Sequence, residues 1–241
     1  MKHFQNLALC LTAIAVLVGC SSVTAVKPGS AAAPLTSNKV LVLEPQLLIF
    51  EIGLSQVPER RPDLEKAARK TATETVAQLA AASKRYTVVT NPQLSEAEQY
   101  ELEQRTALFY SNVMTYTDMT KVGGSGWKQM ESNFKGTIGK SALLQGIADR
   151  TGAHYALLIA GSDSFTTGAA KVASVAAAIT SLGNSSLVLS GSAYLVVGVA
   201  DLNTGGILWY AHDTTKSDLT DPDTLRRLIK SLLEKSPWAV S

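Results

Sequence analysis

The sequence predicts an α/β (α+β) fold, a single domain with a mixed β-sheet and flanking helices. Three observations carry that class. First, β-rich apolar runs alternate along the chain with stretches whose apolar residues recur every three or four positions. Second, Tyr155-Ala-Leu-Leu-Ile-Ala160 is apolar without alternation, which suits a central strand buried on both faces. Third, a long run from Leu187 to Leu202 turns at Asn203-Thr204-Gly205-Gly206 into Ile207–Asp213, the pattern of a hairpin. No internal repeat is visible.

Taken in order, the chain opens with Met1-Lys2-His3, a short basic start. Leu7–Gly19 is then an uncharged apolar run of thirteen residues. A stable bilayer span needs about 20 residues; thirteen is the length of a secretory signal core. The run ends in Leu17-Val18-Gly19-Cys20, followed by Ser21-Ser22. This resembles the lipobox of bacterial lipoproteins, where a peptidase cuts before the cysteine and the thiol carries diacylglycerol. The bland alternative is a chance cysteine at the end of an ordinary signal peptide. Small Gly19 and the polar residues after Cys20 favour the lipobox. Ser21, where an Asp would retain the protein, resembles lipoproteins passed on to the outer membrane. The expected division is therefore 1–19 signal peptide, 20–38 flexible tether and 39–241 a single periplasmic domain.

The tether, Ser21–Asn38, is small, polar and unpatterned. Val40–Leu43 reads as a strand, Pro45 interrupts, and Leu47–Ile52 reads as a second short one. Pro62-Asp63 opens a helix through about Ser83, with Leu64, Ala68, Ala72, Val76 and Leu79 at helical spacing and Ala abundant. Tyr86–Thr90 is a strand closed by Asn91-Pro92. Ser95-Glu96-Ala97-Glu98 matches a capping box, opening a helix whose stripe is Leu102, Thr106, Phe109, Val113 and Tyr116. Lys121–Lys140 is Gly-rich and holds Trp127, so it reads as a surface loop. Ser141 starts a helix that Gly152 stops. After the hairpin, Asp221 caps a last helix with Pro222 at its first position, and Pro237 ends it. Its stripe is Leu225, Leu228, Ile229, Leu232 and Leu233.

Composition excludes several function classes. The 241 residues are 46% hydrophobic and 17% charged, which rules out a disordered chain. A balance of 22 basic against 20 acidic side chains leaves no electrostatic footprint for nucleic acid. Two cysteines and three histidines are little material for a metal site, and no cofactor or metal is expected. With Cys10 leaving in the signal and Cys20 acylated, the domain would hold no free thiol, so cysteine catalysis and disulfides drop out together.

Motifs that invite chemistry have plainer readings. Gly136-Thr-Ile-Gly139-Lys140-Ser141 suggests a phosphate loop, but the pattern needs Gly where Phe134 stands, and a strand leading in. A capped helix start fits better. His154 precedes the buried strand, and His212 and Asp213 are neighbours in a strand, so they point to opposite faces. Ser162-Asp163-Ser164 follows the central strand without a Gly-x-Ser-x-Gly elbow. Flanking positions in a sheet account for these histidines better than a triad does. Gly168–Gly183 is Ala-rich, with Val172, Val175, Ile179 and Leu182 spaced by three and four. That spacing reads as an amphipathic helix, expected either to cover the sheet or to meet membrane or a neighbouring subunit.

From residue 141 onward the order helix, Ala-Asp-Arg-Thr-Gly-Ala-His-Tyr-Ala-Leu-Leu-Ile (148–159), long strand, Val-Ala-Asp-Leu-Asn-Thr-Gly-Gly-Ile-Leu-Trp (199–209), helix is similar to the curli-channel-like (CsgG-like) periplasmic lipoproteins. That family shares an α/β domain with the amino-terminal domain of the Tol–Pal propeller protein and with lipoprotein activators of peptidoglycan synthases. The resemblance implies a scaffold and carries over no catalytic residue. Channel members build a barrel from long amphipathic hairpins. Here the one candidate insertion, 162–186, lacks the period-2 alternation of a barrel strand.

The leading expectation is an outer-membrane lipoprotein of a Gram-negative bacterium, lipid-anchored on the periplasmic face through Cys20. It would act without catalysis as an accessory or assembly factor in envelope biogenesis or secretion, through contacts with envelope proteins or as a homo-oligomer. Trp127, Val172, Val175 and Ile179 are the partner-surface candidates. The alternatives are an activator of a peptidoglycan synthase, an oligomeric CsgG-like export channel subunit, and an envelope hydrolase.

Overall fold

The structure is a computed structural model describing residues 24–26, 37–55, 57–83, 86–90, 93–122, 136–167, 192–213 and 217–236. Its class is the expected one, mixed α/β around one sheet. The strands are β1 (Thr24–Val26), β2 (Lys39–Val42), β3 (Gln46–Ile52), β4 (Pro58–Arg60), β5 (Thr87–Val89), β6 (Tyr155–Thr166), β7 (Ser192–Asp201) and β8 (Ile207–Asp213). The helices are α1 (Pro62–Ser83), α2 (Glu96–Val122), α3 (Ala142–Thr151) and α4 (Pro222–Leu233).

The strands pair in the order β1-β8-β7-β6-β2-β5, and β3 joins β6 and carries β4. β6 is the spine. On one side β7 runs antiparallel to it from Tyr155↔Asp201 to Ser164↔Ser192. On the other, β2 pairs with Tyr155–Leu157 and β3 with Ala160–Thr166, both parallel. Pro45 cannot donate a ladder hydrogen bond, so the break at Leu43–Pro45 divides one line of pairing into two strands. Helices cover both faces. Leu102, Phe109 and Val113 of α2, with Leu144 and Ile147 of α3, pack on Ala156, Leu158, Val196 and Tyr210. Ala68, Ala72 and Val76 of α1, with Leu225, Ile229 and Leu232 of α4, pack on Leu157, Ile159, Val197 and Trp209. This is why Tyr155–Ala160 shows no alternation: both faces are core. Phe109 lies flush on β7 because Gly198 has no side chain; a Cβ there would stand 2.5 Å from the ring.

Helix ends follow the sequence signals. The Ser95 and Glu98 side chains each bond the other's backbone N–H. The Ser141 hydroxyl accepts from Leu144 N–H, and Gly152, at φ +66°, closes α3 with its N–H on Ala148 O. Asp221 accepts from the N–H groups of Asp223 and Thr224.

Four features depart from the sequence reading. Thr24–Val26, inside the expected flexible tether, pairs antiparallel with Tyr210–His212 at the sheet edge. The chain doubles back after Ile52 to form β4, a strand of three exposed residues, Pro58-Glu59-Arg60. The central strand continues through Ser162-Asp163-Ser164 to Thr166, so the start of the expected insertion, 162–166, belongs to the sheet. α2 extends to Val122, into the stretch expected as loop. No helix among the described residues is long and apolar enough to cross a membrane.

Candidate functional site

Cys20, Trp127, Val172, Val175 and Ile179 lie outside the described residues. The other sequence candidates are placed. The Gly136–Ser141 segment caps α3 and is stitched to the β7–β8 turn. Ile138 N–H and the Thr137 hydroxyl both donate to Gly205 O, each at 2.8 Å, and Ile207 N–H donates to Gly136 O. Gly205 must be glycine twice over. Its φ is +71°, and a Cβ would stand 2.4 Å from the Gly139 carbonyl carbon.

The two histidines sit at opposite ends of the sheet. His154 is exposed before β6, its Nδ1 3.2 Å from the Asn203 side-chain amide. His212 is buried near the end of β8, stacked between Tyr194 (5.8 Å between ring centres) and Tyr210 (6.2 Å). Tyr194 meets Tyr110 of α2 edge-on, and the Tyr110 hydroxyl lies 3.0 Å from Ser162 Oγ. Ser162, Tyr194 and His212 thus share the α2 face. Asp163, on the other face, is buried and accepts from Leu219 N–H at 2.8 Å. Burial pushes the Asp163 carboxyl up, and the nearby Asp218 adds to the shift. The Ser, His and Asp groups are therefore divided between two faces and form no triad geometry.

Sequence reasoning missed a cavity of about 430 Å³ on the α1/α4 face, between the last turns of the two helices and the sheet. That is within the size range of small-molecule sites. Val42, Val76, Leu157, Val199 and Leu233 make it apolar, and Lys230 and Glu234, 4.0 Å apart, stand at its rim. The space exists because α1 presents Ala80 and Ala82 where larger residues would fill it. Both helices end here, so their carbonyl-rich termini add negative potential to the mouth.

A second assembly missed from sequence fixes the β3–β4 hairpin. Glu65 of α1 is fully buried, yet its two oxygens take Arg60 Nε at 2.7 Å and Nη2 at 2.9 Å, and Ile49 N–H at 3.3 Å. The Arg60 hydrogen bond holds the Glu65 carboxyl below its ordinary range against the opposing effect of burial, with help from Ile49 and Arg69. Arg61 bridges Glu51 of β3 and Asp63 of α1. The hairpin base is thereby bolted to α1, while its tip carries exposed Leu54 and Val57.

No family model matches the chain. No curated protein matches it. Among solved structures, a PelC dodecamer from Paraburkholderia phytofirmans aligns at 14% identity and TM-score 0.39, over 91% of this chain and 99% of that one. A dodecamer of a PelC point variant from the same organism aligns at 14% identity and TM-score 0.37, with the same coverage. At these TM-scores the likeness carries neither fold nor assembly state to this chain.

Proposed function

We propose that this protein is a lipid-anchored outer-membrane lipoprotein that serves, without catalysis, as an accessory or assembly factor in envelope biogenesis or secretion. It does so through contacts with envelope proteins, a second copy of itself included. The observation that carries the reading is the pairing of β1 with β8. Cys20 stands four residues before Thr24, and four residues span at most about 14 Å. An acyl chain on Cys20 therefore holds the sheet edge against the membrane surface, where a free 18-residue tether would reach about 60 Å. A domain held so close meets partners in or on its own membrane. The same shortness counts against an activator that must reach an inner-membrane synthase. The similarity of residues 141–209 to CsgG-like lipoproteins supports an envelope scaffold, and the division of Ser162 and His212 from Asp163 supports binding over hydrolysis.

The test is Cys20→Ala in cells fed a fatty-acid analogue. The wild-type protein takes the label and fractionates with outer membrane. The variant stays folded, loses the label and leaves that fraction. A variant that still carries the label would overturn the reading.

A further inference from the structure

Leu54 and Val57, at the tip of the β3–β4 hairpin, are 66% and 59% exposed. Single exposed apolar residues are ordinary; what gives these two meaning is where the sheet puts them. β3 runs parallel to β6, with Ile52 opposite Thr166. The tip therefore lies beyond the carboxyl end of β6. β7 begins at that same end, with Ser192 opposite Ser164. β8 finishes there, with Asp213 opposite Leu195. β1 starts there, with Thr24 opposite His212. One end of the sheet thus gathers the strand that follows Cys20, both attachment points of the Ala- and Val-rich 168–191 segment, and the apolar hairpin tip. The other end carries the polar Asn203-Thr204 turn, exposed His154 and the Asp149-Arg150 end of α3.

We propose that this end of the sheet faces the lipid bilayer, and that Leu54 and Val57 enter its interface as a second point of attachment. The inference rests on the lipid-anchor reading, because Cys20 brings the bilayer to this end. β1 and β3 are four strand spacings apart in the sheet, about 19 Å. Two attachments that far apart restrict the tilt of the domain, which one flexible acyl anchor cannot do. The hairpin suits the task, since Arg60–Glu65 and Arg61–Asp63 fix its base to α1, Arg61–Glu51 ties that base to β3, and Thr167 N–H donates to Ile52 O at 3.2 Å. Apolar side chains on a held tip pay little ordering entropy on insertion. The alternative occupant of the tip, a second copy of the chain, is an outcome of the test.

The experiment uses the mature chain from residue 20 with Cys20→Ser, an amino-terminal hexahistidine tag in place of the lipid, and vesicles of phosphatidylethanolamine, phosphatidylglycerol and a nickel-chelating lipid. Cys20→Ser leaves no thiol in the mature chain, so Leu54→Cys or Val57→Cys takes a polarity-sensitive fluorophore alone. Asp149→Cys, exposed at the opposite end, is the control. Probes at 54 and 57 shift to the blue on tethering and lose at least half their emission to doxyl-labelled lipids, while the probe at 149 does neither. Unquenched tip probes, or equal quenching at 149, would overturn the proposal. So would a blue shift that needs a high density of unlabelled copies and ignores doxyl lipids, which marks a contact between copies. Because the tag replaces the acyl chain, failure of Cys20 labelling in cells and failure of tip insertion are separate results.

Discussion

At the end of the sheet that holds the β7–β8 turn, backbone and side-chain polar groups are tied to each other across three segments. Asp201 Oδ1 takes the N–H groups of Asn203 and Thr204, and Gly205 O takes Ile138 N–H and the Thr137 hydroxyl. Leu202 N–H reaches His154 O. At the other end, Gly53 has open space around it and Leu54 and Val57 meet solvent. Both are turns between antiparallel strands, so topology does not explain the contrast. The first turn is a structural knot whose residues are chosen by its neighbours. The second is free of such neighbours, and its residues are open to selection for what lies outside the domain.

The same substitution at the two ends sharpens this most. Gly205→Ala combines a left-handed backbone, about 1–2 kcal/mol, with a Cβ driven against the Gly139 backbone, about 1–3 kcal/mol. The sum expected in urea unfolding is a loss of about 3 kcal/mol. Gly53→Ala meets nothing within 4 Å and costs no stability, with a gain of up to about 1 kcal/mol from the stiffer unfolded chain. Equal losses at the two sites would erase the distinction between knot and free turn.

How much of this was legible in the sequence follows the same division. The knot's parts were readable one by one, because Asn203–Gly206 is turn chemistry and Ser141 and Gly152 are cap chemistry. That Gly139 and Gly205 touch was not readable, since contact across 66 positions leaves no local signal. The helices α1, α2 and α4 were legible from their stripes. β4 was hidden because Pro58-Glu59-Arg60 has no strand propensity and pairs only because the hairpin turns it back. β1 was hidden because a three-residue strand of small side chains looks like tether. The cavity left a trace that reads differently alone: alanines at 80 and 82 signal helix propensity, and only α4 docking beside them makes missing volume.

The hairpin base offers a second, smaller test. Glu65→Gln keeps the shape but removes the charge that Arg60 pairs with. A charge-assisted hydrogen bond is worth about 1.5–3 kcal/mol, and Arg60 is 58% exposed, so the expected loss at pH 7 is near the lower value, about 1.5 kcal/mol. The pH dependence has a fixed sign. The folded carboxyl sits below its unfolded value, so its contribution is full above about pH 4.3 and fades as pH falls through the lowered folded value. Urea midpoints of wild type and Glu65→Gln should therefore converge in acid. A gap that widens in acid would mean that burial, not Arg60, governs Glu65.

The smallest expected effect is the one that bears most on the tip. Leu54 and Val57 are too exposed for core packing, so in the untethered domain Leu54→Ser and Val57→Ser together move the unfolding free energy by less than about 0.5 kcal/mol. A loss of about 2 kcal/mol would place them in the fold, as buried Leu truncation does, and their exposure would need no membrane to explain it. If stability holds, what the pair contributes is measured only when a surface is present. The fluorophore experiment then gains its control: in the Cys20→Ser protein, a double serine variant as stable as its parent in solution must partition less onto vesicles that lack the nickel-chelating lipid. Stability without membrane and affinity with it would then separate at two residues, which the β7–β8 knot, tied through Gly205 and Leu202 to the 136–138 segment and to His154, cannot do.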